Sequence, residues 1–270
     1  MGSIEMKILI KGAGDLATGI ASRLYGAGHQ IMMTDIAVPL TVRRLVAFSR
    51  AVYEGEAVVE DMTARLAKNQ EEAEEIMEQG DIPVIVDPKA ECIQWFQPDV
   101  IVDAILAKKN LGTTKDMAPL TIGLGPGFCA GEDVDVVIET KRGHNLGRII
   151  RQGSACPNTG IPGIIGGYGA ERVIHAPAAG RMKNRSKIGD IVEAGQVLAV
   201  IEGEDGSTEV SATIDGLLRG LIRDDYPVTK GFKIADIDPR KEELANCFTI
   251  SDKARCIAGS VLEVICEAVE

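Results

Sequence analysis

The chain has 270 residues, 45% of them hydrophobic and 30 of them glycine, with a formal net charge of −11. That length suits two or three domains, and the acidic balance excludes nucleic acid and anionic membrane surfaces as partners. No apolar run approaches the roughly 20 residues that span a bilayer, and the first residues lack the basic and apolar parts of a secretory signal. The expected location is therefore the cytoplasm. The six cysteines form no C-x-x-C pair, so they read as reduced thiols and not as a disulfide framework or a zinc site. No metal site is expected.

Lys7 to Asp35 reads as strand, glycine turn, helix, strand and acid, one βαβ unit. Gly12, Gly14 and Ala17 follow the G-x-G-x-x-G/A spacing, in which the backbone approaches a phosphate at the N-terminus of the next helix. Asp35 comes where a carboxylate would meet a ribose 2′-OH. Asp15, beside the second glycine, departs from that scheme by placing a negative charge there. Arg43 or Arg44, just beyond, would meet a 2′-phosphate or stand on a solvated face. The cofactor expected on these residues is a nucleotide or dinucleotide, with NAD(P) as one form.

The stretch from Glu60 to Gln79 reads as a helix stopped by Gly80, with its glutamates in solvent. Two apolar runs, at Ile82 to Asp87 and Asp99 to Ala104, read as buried strands. Asp35, Asp87 and Asp103 thus all end strands, where open parallel sheets bind ligands. Asp103, followed by Lys108 and Lys109, is either a site residue or a cap on the next turn. The run from Leu120 to Gly127 repeats the strand and glycine turn, with Gly125 and Gly127 as anion-binding candidates. Beyond the Asp135 to Thr140 strand, Arg142, His144 and Arg148 make a basic turn, and Asn158 and Thr159 lie in a long glycine-rich loop of functional composition. If Cys156 or Cys129 lies near the basic turn, cationic neighbours would lower its thiol pKa. Cys156 and His144 are the catalytic candidates.

From Ile174 onward, short β runs repeat at an offset of 36 residues, with Gly180 on Gly216 and Gly195 on Gly231. A matched set of turn glycines and core positions implies a duplicated β unit. Its motifs, A-P-x-x-G and the run from Gly189 to Glu202, resemble the biotinyl/lipoyl family. The hairpin from Glu202 to Glu209 has no lysine, so covalent biotin or lipoyl is excluded there. Ser251 reads as the N-cap of a closing helix whose stripe includes Ala254, Ile257, Val261 and Ile265.

The expected fold class is α/β: a Rossmann-like parallel sheet over 6–125, a glycine-rich middle region over 126–172, a duplicated lipoyl-like (barrel-sandwich hybrid) module over 173–240, and a C-terminal helix within 241–270. The motifs G-L-G-P-G-F-x-A-G-x-D-V (Gly123 to Val134), E-T-K-R-G-H-x-L-G-R (Glu139 to Arg148) and P-N-T-G-x-P-G (from Pro157) resemble the accessory-protein family found with selenium-dependent molybdenum hydroxylases. That resemblance implies a bacterial maturation factor, with a molybdenum hydroxylase or its cofactor as partner and a molybdopterin nucleotide as ligand. It transfers no catalytic residue and leaves room for an oligomer. Two alternatives stay open at this point: an NAD(P)-dependent oxidoreductase, and a sulfur or selenium transferase acting through a cysteine thiolate.

Overall fold

The computed structural model describes residues 5–160, 163–204 and 206–268. The chain forms two compact units. Unit 1 takes residues 1–39, 47–159 and 250–270; unit 2 takes 40–46 and 160–249.

Unit 1 is built on one nine-stranded sheet. Its centre is β1 (Lys7–Lys11), flanked by β2 (Gln30–Asp35) and β6 (Val100–Asp103). Outside β2 come β5 (Ile82–Val86), β4 (Met62–Ala67) and β3 (Glu56–Val59); outside β6 come β7 (Leu120–Leu124), β9 (Val136–Ile138) and β10 (Ile149–Ile150). The strands from β4 to β9 run parallel, while β3 and β10 close the two edges antiparallel. The strand order reverses between β1 and β6, so a crevice is expected beyond their carboxyl ends. A continuous apolar run makes β1 a doubly covered strand, and Ile8, Leu9 and Ile10 are fully buried.

Helix α1 (Asp15–Gly26) follows the first glycine turn, and α2 (Ala51–Glu54) is a single turn. On one face of the sheet, α3 (Gln70–Glu78) and α4 (Ile93–Phe96) bring Ala73, Ile76 and Phe96 onto Leu9, Met32 and Ile101. The closing helix α5 (Asp252–Ala268) packs on α1, and a Cβ added to Gly19 would stand 2.7 Å from that of Ala254. Its N-cap is Ser251, whose hydroxyl accepts the Ala254 N–H at 3.2 Å. A two-stranded ladder of β8 (Cys129–Ala130) and β11 (Gly153–Ser154) completes the unit. Among the described residues, no helix is long and apolar enough to cross a membrane.

Unit 2 holds two four-stranded antiparallel sheets. One contains β12 (Val173–His175), β14 (Ile191–Val192), β17 (Gly216–Leu221) and β19 (Lys233–Asp238). The other contains β13 (Gly180–Asn184), β15 (Val197–Gly203), β16 (Gly206–Ser211) and β18 (Pro227–Val228). Val42 and Leu45 pack on its core, and the Val42 carbonyl accepts the Leu221 N–H at 2.9 Å.

These pairings correct two expectations. The helix over 60–79 is half strand: β3 and β4 form a hairpin whose turn residue Glu60 sits in the left-handed region (φ 54°), and only 70–78 is helical. Alternating burial along β3 and β4 overrode the loose helical stripe. The fold class is also corrected, to a mixed α/β fold with a nine-stranded sheet and further antiparallel sheets. A duplicated lipoyl-like module does not describe unit 2, which includes residues 40–46, with Val42 and Leu45 packed against its core. The matched glycines have a local cause. A Cβ at Gly180 would strike the Glu202 carbonyl, and one at Gly216 the Asp238 carbonyl. The C-terminal helix, finally, belongs to unit 1. Asp205, in the lysine-free hairpin, lies outside the described residues.

Candidate functional site

The loops at the carboxyl ends of the parallel strands interlock through their glycines. Gly12 (φ +93°) lets the turn after β1 approach the chain after β6: a Cβ there would lie 3.0 Å from the Ala104 carbonyl oxygen and 3.1 Å from the Ile105 Cα. Gly127 (φ +114°) does the same against Lys109, where a Cβ would lie 2.6 Å from its Cα. At Gly125 a Cβ would strike the Thr140 hydroxyl. The loop held between the two turns is itself unusual. Leu106 (φ 59°) and Lys108 (φ 63°) both adopt the left-handed conformation that non-glycine residues rarely take. Its far end is pinned by a buried chain: the Lys11 ammonium donates to the Thr113 hydroxyl at 2.5 Å, which donates to Asp103 at 2.6 Å.

Each strand-ending acid anchors a neighbouring backbone. Asp35 accepts the Ala13 N–H at 3.0 Å and the Ile36 N–H at 2.7 Å. Burial pushes its carboxyl above the ordinary aspartate range, and those two N–H groups only partly offset the effect. Asp87 accepts the Cys92 N–H, and Asp103 the Ile105 N–H. Glu139, just past β9, accepts Lys141 N–H at 2.7 Å and Cys156 N–H at 2.8 Å. Glu139 is almost fully buried. Burial raises its pKa, but hydrogen bonds from Cys156, Lys141 and Thr140 outweigh that and hold it below the usual carboxylate range.

Glu139 differs from the other three acids in having an exposed thiol beside it, whereas the thiol beside Asp87 (Cys92) and the ammonium 3.7 Å from Asp103 (Lys11) are buried. The exposed Cys156 thiol donates to Glu139, and that bond, reinforced by the negative charge, raises the thiol above its ordinary range. This reverses the expected direction at Cys156: the nearest group is a carboxylate, and the effect of Lys141 is smaller. The half-buried Lys253, on the first turn of α5, completes the group. Burial, then the neighbouring Arg142, lowers its pKa, while Asp15, Glu139 and Asp252 pull the other way. Arg142 is oriented by Asp252, to which both terminal nitrogens donate, at 2.7 and 2.9 Å.

The remaining sequence candidates are placed as follows. Gly14 is the N-cap of α1 in extended conformation, and the Asp15 carboxylate accepts the Leu16 N–H at 3.0 Å. Ala17 is fully buried inside α1, where it packs and cannot touch a ligand. The flank of the first glycine turn is covered by chain, for Ser49 N–H donates to the Ala13 carbonyl at 2.8 Å and Phe48 N–H to Thr18 Oγ1 at 2.9 Å. Lys108, His144, Arg148, Asn158 and Thr159 are exposed. Arg148 donates to Asn145 at 3.3 Å. Ile161 and Pro162, in the motif after Thr159, lie outside the described residues. Arg43 and Arg44 belong to unit 2, where they donate to the carbonyls of Asn246 and Leu221. Cys129 is the neighbour in register of Ser154 on the ladder leading to Cys156, and its own N–H is held by Asp133 at 2.8 Å. Among the described residues, no group of three or more His, Cys, Asp or Glu could hold a metal ion.

Two members of the cluster were not site candidates in the sequence. Glu139 had a signal, an acid ending a strand before a glycine turn, like Asp35 and Asp103. Lys253 had none, because the N-cap at Ser251 predicts the helix but not what its first turn faces.

No family model matches the chain. Over 258 residues it is 51% identical to the "Uncharacterized protein YqeB" of Escherichia coli, a match covering 96% of this chain and 47% of that protein. The chain thus spans about half the length of the curated relative it matches. Among solved structures it is similar to a succinylglutamate desuccinylase/aspartoacylase from Rhodobacter sphaeroides (13% identity, TM-score 0.29, covering 86% of this chain and 85% of that one). It is also similar to the ectoine utilization protein EutE (DoeB) from Ruegeria pomeroyi (12% identity, TM-score 0.29, covering 87% and 86%). These findings correct the expectation drawn from the motifs. The structures matched are desuccinylase and aspartoacylase proteins and not a molybdenum-hydroxylase maturation family. The accessory role, its selenium link and the lipoyl-like label are withdrawn, as are the oxidoreductase and sulfur-transferase alternatives. At a TM-score of 0.29 the likeness transfers no hydrolase activity to this chain.

Proposed function

We propose that unit 1 binds a small anionic molecule at the carboxyl edge of its parallel strands and moves a proton to or from it. The observation that carries this reading is the convergence of Glu139, Cys156 and Lys253, three side chains from separate stretches of chain, each with a displaced pKa. Such displacement concentrates at sites of chemistry. Arg142, oriented by Asp252, supplies the positive charge for an anion. Lys253, shifted toward its neutral form, suits a base. Cys156, kept as a thiol, suits a proton donor, and Glu139 orients it. A nucleotide held by its phosphates is among the ligands this reading admits, although Asp35, occupied by Ala13 and Ile36, would not read its ribose. A cytoplasmic setting goes with it, supported by six cysteines that are all free.

The test is a thermal-shift titration with phosphate-bearing and carboxylate-bearing metabolites, ATP and NAD(H) included, on the wild type and on Lys253→Met. The reading expects a saturable rise in Tm with at least one ligand that Lys253→Met loses. If every ligand that raises Tm in the wild type raises it equally in Lys253→Met, the reading fails.

A further inference from the structure

Unit 1 contains a hollow of about 420 Å3 between α1 and α5. Gly19 is demanded there by helix contact, since its Cβ would collide with Ala254. Gly26 is not: it lies in α1 with an ordinary φ, and a Cβ added to it meets no atom within 4 Å. Glycine weakens a helix relative to alanine, so neither packing nor backbone geometry accounts for it. Its effect is to leave the hollow open.

The charges lining the hollow are biased, against the acidic balance of the chain. Arg23 and Arg255 reach it from different helices. Arg255 gives one terminal nitrogen to the Ile250 carbonyl at 2.5 Å. Arg23 forms no ion pair among the described residues. The lining acid, Glu60, accepts the Ile250 N–H at 2.9 Å and keeps its charge, so the two arginines leave the lining with a net charge of about +1. Ser22 adds a hydroxyl that can donate. Two arginines and a serine lining a space at the small end of ligand pockets match a compact, multiply accepting anion.

We infer that this hollow is a binding site for a small dianion of the phosphate-monoester class. It is lined by residues other than those of the Lys253 site and does not rest on that reading. The probes are inorganic phosphate, glycerol phosphate and malonate, titrated calorimetrically at low salt into the whole chain. Glycerol phosphate should bind saturably and more tightly than malonate. Arg23→Ala should weaken it roughly tenfold, the loss of one charge-assisted contact. Gly26→Leu, which fills the space and favours the helix, should abolish it, while Lys253→Met should leave it unchanged. Arg255→Ala also removes the bond to Ile250, so Arg23→Ala and Gly26→Leu decide the matter. Binding that persists in both, a heat that never saturates, or a preference for malonate would overturn the assignment.

Discussion

Asp35 and Glu139 occupy parallel positions in unit 1, each at the carboxyl end of a strand and each accepting two backbone N–H groups. Their electrostatics are opposite. At Asp35 burial prevails and the carboxyl is raised; at Glu139 the hydrogen bonds prevail and it is lowered. The difference lies in the surroundings. Asp35 serves a turn whose flank is closed by Phe48 and Ser49, whereas Glu139 faces a thiol and a lysine. An acid at a strand end is therefore a loop anchor first. It joins a site only where a titratable neighbour also reaches solvent, as Cys156 does and the buried Cys92 and Lys11 do not.

The largest effect is expected at the anchor with most to lose. Glu139→Ala strands two part-buried N–H donors, those of Lys141 and Cys156, and should cost about 2 kcal/mol in denaturant unfolding, while Glu139→Gln, which keeps an acceptor, should cost about 1. Equal losses would mean the carboxylate is not the anchor. Thr113→Val removes the hydroxyl joining Lys11 to Asp103 and should cost about 2 kcal/mol; a neutral result would detach that chain from the strained loop.

The contrast itself is read by pH. The contribution of Asp35, whose folded pKa is raised, is fully present below the ordinary aspartate pKa and lost as pH rises through the folded value. That of Glu139, whose folded pKa is lowered, is present above the ordinary glutamate pKa and lost as pH falls through the folded value. Asp35→Asn should cost about 1 kcal/mol at neutral pH, through one lost hydrogen bond, and should remove the loss of stability on raising pH through the acidic range. An unaltered pH dependence of stability in that variant would erase the distinction between the two acids.

Much of this architecture was legible in the sequence. The apolar runs located β1, β2, β5, β6, β7 and β9, because doubly covered strands need uninterrupted apolar residues. Ser251 announced α5. The β3–β4 hairpin was hidden because Met62 and Leu66 also fit a helical stripe, and only Glu60 in its left-handed turn separates the two. Glycine spacing at 12 and 14 suggested phosphate contact, yet Gly12 is explained by the approach of Ala104 and Ile105. Spacing reports that the backbone comes close to something, not to what. Lys253 was invisible because its role depends on a loop more than a hundred residues away in sequence. The same holds for residues 40–46, whose place in unit 2 follows from tertiary packing alone.

The pairing of Cys156 with Glu139 is tested most directly by alkylating the native protein across pH and following the Cys156 peptide by mass spectrometry. The account predicts a midpoint above that of an ordinary thiol, such that Cys156 reacts slowly at neutral pH, and a downward shift of that midpoint in Glu139→Gln. A wild-type midpoint at or below the ordinary thiol range, or one that Glu139→Gln leaves in place, would contradict it.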